Sequence, residues 1–553
     1  MWTGIQWKRF YESHSLFSNR NIHSIPTLTI TNFGGRLTRF DNGDINSDFA
    51  KYSQTFGNDP FSKPGKLTWF EEPTRIDSGE LVITDLIVAA RARLESGVTY
   101  VYAIGHNARL YKIQVNNPST YNPNYDTPVL LTTLTINSPT FKYGSSIQFY
   151  GATEQIFIFH DRGVNRINFD GTGEAYVGTL ASFTLDVPRP SVNFLGKLYF
   201  GNGKNIGEID STLTVTSYSK LVPSFPDGTY VRDVDVSPDG NYTTIVVSRI
   251  PPADITNVLQ ETNSLSSTDS YFFLWNGTDT GYTAYNTQNG YLLNANTSFG
   301  PFSYTFGYDM NGSAVYEGST KTLSLPNALS PNFGAIFSTG NLVGFAVPEY
   351  SSDVLRTSVF AYGNYDEENS KGFYRFLRYA AQGGQTNVIQ IPVCLPVSNL
   401  FYGSSAAGYT NNRVGTAKIY FSAFETASGP TSGYRLYKFS TVPTGSGTAI
   451  GGIYETQTQL FSKKIKVSEV RVYGEPWVTN NAFTIDLIGS NGGTIGQGGY
   501  TFTAGTTLTV GDDMAQYNPG HQPTFALGVR ITNGGTVNHT ISKVELDYEF
   551  SGH

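Results

Sequence analysis

Seven histidines, at 14, 23, 106, 160, 521, 539 and 553, are the groups best suited to moving protons near neutral pH, and they are scattered along 553 residues. None sits in a His-Glu-x-x-His pattern or in a Cys/His spacing that would ligate zinc. His106 and His160 fall at equivalent hairpin turns, which makes them turn residues before anything else. No Gly-x-Ser-x-Gly occurs, so the chain offers no nucleophile elbow. Gly201-Asn202-Gly203 lacks the third glycine of a dinucleotide-binding turn and precedes no helical pattern. Glycoside hydrolysis needs two facing carboxylates, and the 44 acidic residues cannot be paired from their order alone. Asp233, Asp235 and Asp239, and separately Asp41, Asp44 and Asp48, offer oxygen ligands of the kind calcium takes. Aspartates at turns usually cap backbone amides instead. Trp477 and Tyr500 have faces on which a pyranose could stack, although such aromatics more often serve a core or an interface. The expected catalytic, cofactor-binding and metal-ligating sets are therefore all empty.

The elements that would position these groups are strands. Arg109-Leu110-Tyr111-Lys112-Ile113 recurs as Arg435-Leu436-Tyr437-Lys438-Phe439, 326 residues later. Each copy closes a hairpin opened by Tyr100–Ile104 or Lys418–Phe421. Degenerate copies lie between: Gln155–His160 with Val164–Phe169, Leu198–Phe200 with Ile206–Ile209, and Tyr271–Trp275 with Tyr282 and Tyr285. Ser358–Tyr362 with Phe373–Leu377 is another, and Phe302–Phe306 with Ala314–Tyr316 is weaker. The opening strand is apolar on both faces, as a central strand buried on both sides must be. The returning strand alternates, with Tyr111, Ile113 and Val115 on one face and Leu110, Lys112 and Gln114 on the other. Turns rich in Gly, Asn and Asp tolerate the positive φ of tight hairpins. Seven units imply intervals of about 54 residues and six imply about 65, against ~40–50 for known propeller repeats.

Ser237-Pro238-Asp239-Gly240-Asn241, between Val231–Val236 and Thr244–Ser248, resembles the tight turn inside β-propeller blades. It also matches part of the sialidase Ser-x-Asp-x-Gly-x-Thr-Trp box, without the tryptophan. The fold expected is all-β: a β-propeller of about seven blades, with six as the alternative count, over 75–445. Closing the ring removes the sheet edges that so many strands would expose. Asp85–Arg91 is expected to be a blade strand. A linker of small residues follows at 446–460, and 461–553 reads as an antiparallel β-sandwich or jelly roll. Its expected core faces are Val467, Val470 and Val472 with Tyr473, and Ile541, Val544, Leu546, Tyr548 and Phe550.

Composition narrows the function. Charged residues are 15% and aromatics 14% of the chain, a profile suited to pleated surfaces. A net charge of −7 argues against duplex binding, which needs clustered cations. Lys463, Lys464 and Lys466 form the densest basic spot and read as a solvated face or an interface. The lone Cys394 leaves no internal disulfide and reads as a small core residue. The opening residues contain no apolar run of signal-peptide type, and no run approaches the length of a membrane span, so assembly in a reducing cytoplasm is expected. Residues 1–74 read as an extended arm with lead-in strands. Trp2, Trp7, Phe10, Tyr11 and Phe17 make the arm either a lid on its own propeller or a dock for a neighbouring subunit.

Three short segments add a resemblance. Asn32-Phe33-Gly34-Gly35-Arg36-Leu37 followed by Pro64-Gly65-Lys66-Leu67 resembles the opening of β-propeller virion proteins of tailed bacteriophages. The hairpin from Tyr102 to Ile113 looks like their first blade. Ile453-Tyr454-Glu455-Thr456-Gln457 running into Lys463–Val467 resembles their step into a terminal sandwich. The resemblance implies a non-enzymatic structural protein of the tail, nozzle-like or at the tail tip. It would assemble as a homo-oligomeric ring, a hexamer in the related nozzles. Its partners would be the adaptor, tail tube or fibres, and genomic DNA would pass without sequence-specific binding. The alternatives are a host-glycan-binding tail protein, with exposed tyrosines of 281–310 as stacking faces, and a propeller-type polysaccharide-degrading enzyme. The implied location is the virion tail, after synthesis in the bacterial host cytoplasm.

Overall fold

The computed structural model describes residues 26–31, 52–60, 65–71, 87–96, 98–115, 129–135, 145–237, 239–249, 269–289, 451–490, 499–520, 522–534 and 538–551. Scattered neighbours such as Phe33, Phe141 and Ala449 are also described, as is the strand backbone at 74–75 and between 292 and 440. The chain forms two compact units, one of residues 73–377 and 397–441, the other of 1–72, 378–396 and 442–553. Thr386–Ile391 completes a propeller sheet by its hydrogen bonds and is counted there.

Among the described residues the first unit contains seven four-stranded sheets, the first of the two blade counts expected. They span 87–133, 146–176, 191–217, 230–289, 292–325, 344–391 and 408–440. The seventh sheet takes its fourth strand, Thr74–Arg75, from before the first sheet, pairing Arg75 with Tyr437 and Thr74 with Lys438. Hydrogen bonds between the two ends of the repeat thus lock the circle without leaving a raw edge. The first strands of the first six sheets adjoin one another in order, and Gly408–Thr410 of the seventh adjoins Ile87–Glu95 of the first. Ile87–Glu95, which overlaps the anticipated Asp85–Arg91 and runs beyond it, is therefore an innermost strand.

Second strands are buried on both faces, as their sequences require. Ile156 to His160 and Leu198 to Asn202 are all buried. In the first blade the returning strand is wetter, but its wet face begins only at Lys112 and Gln114, because Leu110 is fully buried; in the third blade Asn205–Ile209 is buried throughout. In the fourth blade the aromatic strand Asp269–Trp275 is the third strand, not the second as in its neighbours. The hairpin Val231 to Ser248 supplies the first two strands of that blade, so the sequence repeat is out of phase there.

The second unit is an antiparallel sandwich that draws on both ends of the chain. Thr27–Ile30 pairs with Ile541–Phe550, and Tyr52–Phe56 pairs with Gly452–Thr456. The stretch read as an arm thus supplies strands to the sandwich, and the stretch read as a linker contains a strand that also pairs with Thr524–Asn533. The 16-residue strand Gln459–Gly474 pairs first with Thr524–Asn533 and then with Ile541–Phe550, stitching the two sheets together. A bulge between Val467 and Glu469 explains how Val467, Val470 and Val472 share one buried face despite their unequal parity. A second irregularity at Gly474 does the same for Ile541 and Val544. Tyr473 is half-buried, and Phe550, expected in the core, is 52% exposed because it ends its strand at the rim.

Candidate functional site

The expected docking aromatics Trp2, Trp7, Phe10, Tyr11 and Phe17 lie outside the described residues, as do Cys394 and the Asp41, Asp44 and Asp48 group. What the structure does place are the charged clusters of the propeller. Glu95 and Glu154 come together at the ends of the first two blades, where Arg93 bridges them at 3.1 and 2.6 Å. Glu95 also accepts hydrogen bonds from Tyr102 at 2.5 Å and Lys112 at 2.9 Å. Burial pushes the Glu95 carboxyl up, but these three donors outweigh it and hold its pKa below the ordinary value. A carboxyl so held stays ionised, whereas the general acid of a glycosidase must keep its proton. The Arg93 guanidinium lies 3.9 Å from the Phe169 ring centre, tying the first blade to the second.

The third blade repeats the device. Glu208 pairs with Lys197 at 3.0 Å and Lys220 at 2.9 Å, and accepts from Thr216 at 3.1 Å. Tyr199 stands opposite Glu208 across the strand pair, as Tyr102 stands opposite Lys112 in the first blade. Burial and the neighbouring carboxylates push both phenols well above the tyrosine range, which removes them as nucleophiles near neutral pH.

A polar chain links the innermost strands of the first three blades. Arg91 of the innermost first strand donates to the carbonyl of Ile147 at 3.2 Å and to Gln148. Gln148 passes the chain on to the Ser191 carbonyl at 2.7 Å. Burial lowers the Arg91 pKa and the field of Asp235, on the innermost strand of the fourth blade, partly restores it.

Between the second and third blades a fully buried guanidinium sits beside apolar packing, near the rings of Phe183 and Phe200. Arg189 donates from Nε to the His160 carbonyl at 2.7 Å and from Nη2 to the Thr184 carbonyl at 2.8 Å. Its Nη1 reaches the Gly201 carbonyl at 3.1 Å and Asn202 Oδ1 at 3.0 Å. Burial brings its pKa down to about 10, so the group remains charged at neutral pH. His160, expected in the turn, is instead the last residue of its strand, paired with Gly163; it stacks on Phe141 and donates from Nε2 to Asn165 Oδ1 at 2.9 Å, while its Nδ1 accepts from the Arg162 amide at 3.2 Å. Both ring nitrogens are committed to the neutral form, and burial lowers the pKa to about 3. The sequence carried no signal for Arg189. Its flanking Pro188 and Pro190 mark only a rigid turn.

One repeated signal was present and overlooked. After the third strand of three successive blades an Asx side chain accepts from the threonine two residues on. The amide bonds are 2.9 Å to Asp170, 2.9 Å to Asp210 and 3.0 Å to Asn276. The Ser237 turn is closed in a related way, with Asp239 accepting from Ser237 at 2.5 Å and Asn241 at 2.9 Å. Asp233 and Asp235 each accept from the next residue's amide. Among the described residues no group of three or more His, Cys, Asp or Glu side chains could hold a metal ion.

Of the segments that carry the phage resemblance, those around Phe33, Leu67 and Tyr454 meet in the terminal unit, while the Tyr102–Ile113 hairpin lies in the first blade. Tyr454 is fully buried and donates to the Phe33 carbonyl at 3.0 Å, with the two rings edge to face at 5.5 Å. Leu67 bridges to Ile541, and Trp69 Nε1 donates to His539 Nε2 at 3.0 Å. Asn538 Oδ1 accepts from the Trp69 amide at 3.2 Å. Trp477 is 1% exposed and belongs to the core, whereas Tyr500 is 37% exposed and stacks on Tyr517 at 4.6 Å.

No protein-family model matches the chain, and no curated protein matches it significantly. Solved structures that resemble it include a mitotic checkpoint complex, with 10% identity over 68% of this chain and 92% of that one, TM-score 0.38. The Neurospora crassa Pan2 WD40 domain aligns at 7% identity over 67% and 96%, TM-score 0.35. The fucose-specific lectin of Aleuria aurantia aligns at 16% identity over 66% and 98%, TM-score 0.28. At these scores the likenesses assign neither an activity nor a ligand. No helix among the described residues is long and apolar enough to cross a membrane.

Proposed function

We propose that this protein is a non-enzymatic structural component of a bacteriophage tail, acting as a rigid, self-assembling module around or at the end of the DNA conduit. The observation that carries the reading is that the resemblance segments outside the propeller meet in one unit, while the Tyr102–Ile113 hairpin lies in the first blade. Phe33, Leu67 and Tyr454, taken from three separated motifs, are all fully buried joints of one terminal unit. Motifs that lock the chain's two ends together are what a load-transmitting scaffold requires. The propeller clusters point the same way, since the charged side chains of Glu95, Glu208 and Arg189 are spent on cross-strand and inter-blade bracing. A net charge of −7 suits a surface past which DNA slides without sticking.

Immunolabelling of purified tailed virions tests the reading, with label expected on the tail. Virions that lack the protein would overturn it. A glycan-binding tail protein is the second reading, favoured by Tyr285, which is 59% exposed and stacks on Phe273 at 5.7 Å. Glycan-array binding abolished by Tyr285→Ala would favour it over a purely structural part.

A further inference from the structure

The terminal unit carries two exposed apolar patches of opposite charge at the two ends of its longest strand. At the start of Gln459–Gly474, Leu460 is 41%, Phe525 49% and Phe550 52% exposed. Pairing places them together: Leu460 faces Ala526, and Ile465 faces both Thr524 and Phe550. Lys463, Lys464 and Lys466 are all exposed around this cluster, with Lys464 5.5 Å from the Phe525 ring centre. Glu549 stands across the strand pair from Lys466. None of the three lysines makes an ion pair among the described residues.

Beyond the other end of the strand, Val478 is 47%, Val510 50% and Met514 38% exposed. Backbone bonds from Gly511 to the Trp477 carbonyl at 2.9 Å and from Trp477 to the Asp512 carbonyl at 2.8 Å set these segments side by side. Here the exposed charges are Asp512 and Asp513, with Glu475 held by Lys66 at 3.1 Å. The stretch from Ile465 to Gly474 separates the patches by roughly 30 Å at the usual rise of a strand.

We propose that these patches are the two halves of a head-to-tail contact between copies of this chain, with the lysine-rimmed aromatics of one copy seated on the aspartate-rimmed Val478, Val510 and Met514 of the next. Charge selects that geometry. A two-fold contact would set either patch against itself, lysines on lysines or aspartates on aspartates, whereas lysine on aspartate is attractive. Because the patches lie at opposite ends of the unit, each copy keeps one free patch after pairing, and growth continues into a ring or an open filament according to the rotation between copies. This contact rests on the self-assembly part of the reading above. A wild-type chain that stays monomeric overturns the contact alone, and virions without the protein overturn the reading.

The test is sedimentation velocity of the full chain between about 1 and 100 µM, at low and high salt. The basic-end variant is Lys464→Gln with Phe525→Gln, and the acidic-end variant is Val510→Gln with Asp512→Asn, so that the two altered ends gain no complementary charge. The wild type is expected to form oligomers that salt weakens. Each variant alone is expected to be monomeric, its dissociation constant raised roughly tenfold or more. Mixed in equal amounts, the two variants should give dimers and nothing larger, since each still offers one intact patch. Melting curves establish that the variants fold. Should either fail to fold, the milder changes Lys464→Gln and Asp512→Asn are expected to weaken wild-type association in the same direction. A monomeric wild type, a variant mixture that stays monomeric, or growth of the mixture beyond dimers would each overturn the proposal. So would a lysine-dependent complex with a single-stranded oligonucleotide formed by a chain that does not self-associate.

Discussion

Replacing Arg189 with methionine keeps much of the side chain's bulk and removes every donor from a site with no exposure to water. Four acceptors lose a partner: the carbonyls of His160, Thr184 and Gly201, and Asn202 Oδ1. Each buried acceptor left unsatisfied costs about 1–3 kcal/mol, but the losses overlap because Asn202 Oδ1 still accepts from the Thr184 amide at 2.8 Å. The desolvation cost of burying a guanidinium is also relieved. A net loss of about 3–5 kcal/mol follows, in line with breaking a buried charged network. Unfolding entropy near 2.1 cal/mol/K per residue, over roughly 370 propeller residues, converts 4 kcal/mol into a fall of about 5 °C in the propeller's melting temperature. Scanning calorimetry reads this directly. Arg189→Lys should recover little of the loss, because one ammonium cannot reproduce the planar fork. Arg162→Ala removes only a surface ion pair, to Asp186 at 2.9 Å, and should cost less than about 1 kcal/mol. An Arg189→Met protein within about 1 kcal/mol of wild type would refute the view that this guanidinium braces two blades.

Three further outcomes are expected. Burial depresses the pKa of His160 from 6.5 to about 3, so the unfolded chain binds its proton first as pH falls. The contribution is intact above about pH 6.5 and is lost at up to about 1.4 kcal/mol per unit toward pH 3. Melting curves from pH 7.5 down to 4.5 should therefore be less steep in His160→Gln, and equal slopes would contradict the assignment. Tyr454→Phe leaves the Phe33 carbonyl without its buried donor and should cost the terminal unit about 1–2 kcal/mol by denaturant titration, with Trp69 and Trp477 as nearby reporters. Asp239 closes its turn through Ser237 and Asn241, so calcium should leave the melting temperature unchanged while Asp239→Ala lowers it; stabilisation by calcium would reinstate a metal site.

The strand content and the repeated hairpin could be read from the chain because their causes are local. Alternating side chains, β-branched and aromatic residues and Gly/Asn/Asp turns act within a dozen residues. Gln155–His160 and Lys197–Asn202 are strands for reasons visible in their own letters. Which strand of a blade each one becomes is not local, and the fourth blade shows it: Asp269–Trp275 has the same aromatic character as its counterparts yet lies third, because the Ser237 hairpin already fills the first two places.

Parity failed at the bulges for a related reason. Val467 and Val470 share a face only because one extra residue is inserted between them, a choice made by the partner strand. The role of the chain's two ends was also hidden. Nothing in Thr27–Ile30 or Gly452–Thr456 names its partner, and pairing across more than 400 residues is decided by shape and burial together. The sequence by itself determined that this is a β-rich repeat with a second β domain, since period and composition act along the chain. Only the tertiary structure decided the seventh blade's closing strand, the shared terminal sandwich and the bracing roles of Arg189, Glu208 and Glu95. A buried charge takes its role from the groups that replace its water, and those come from other strands.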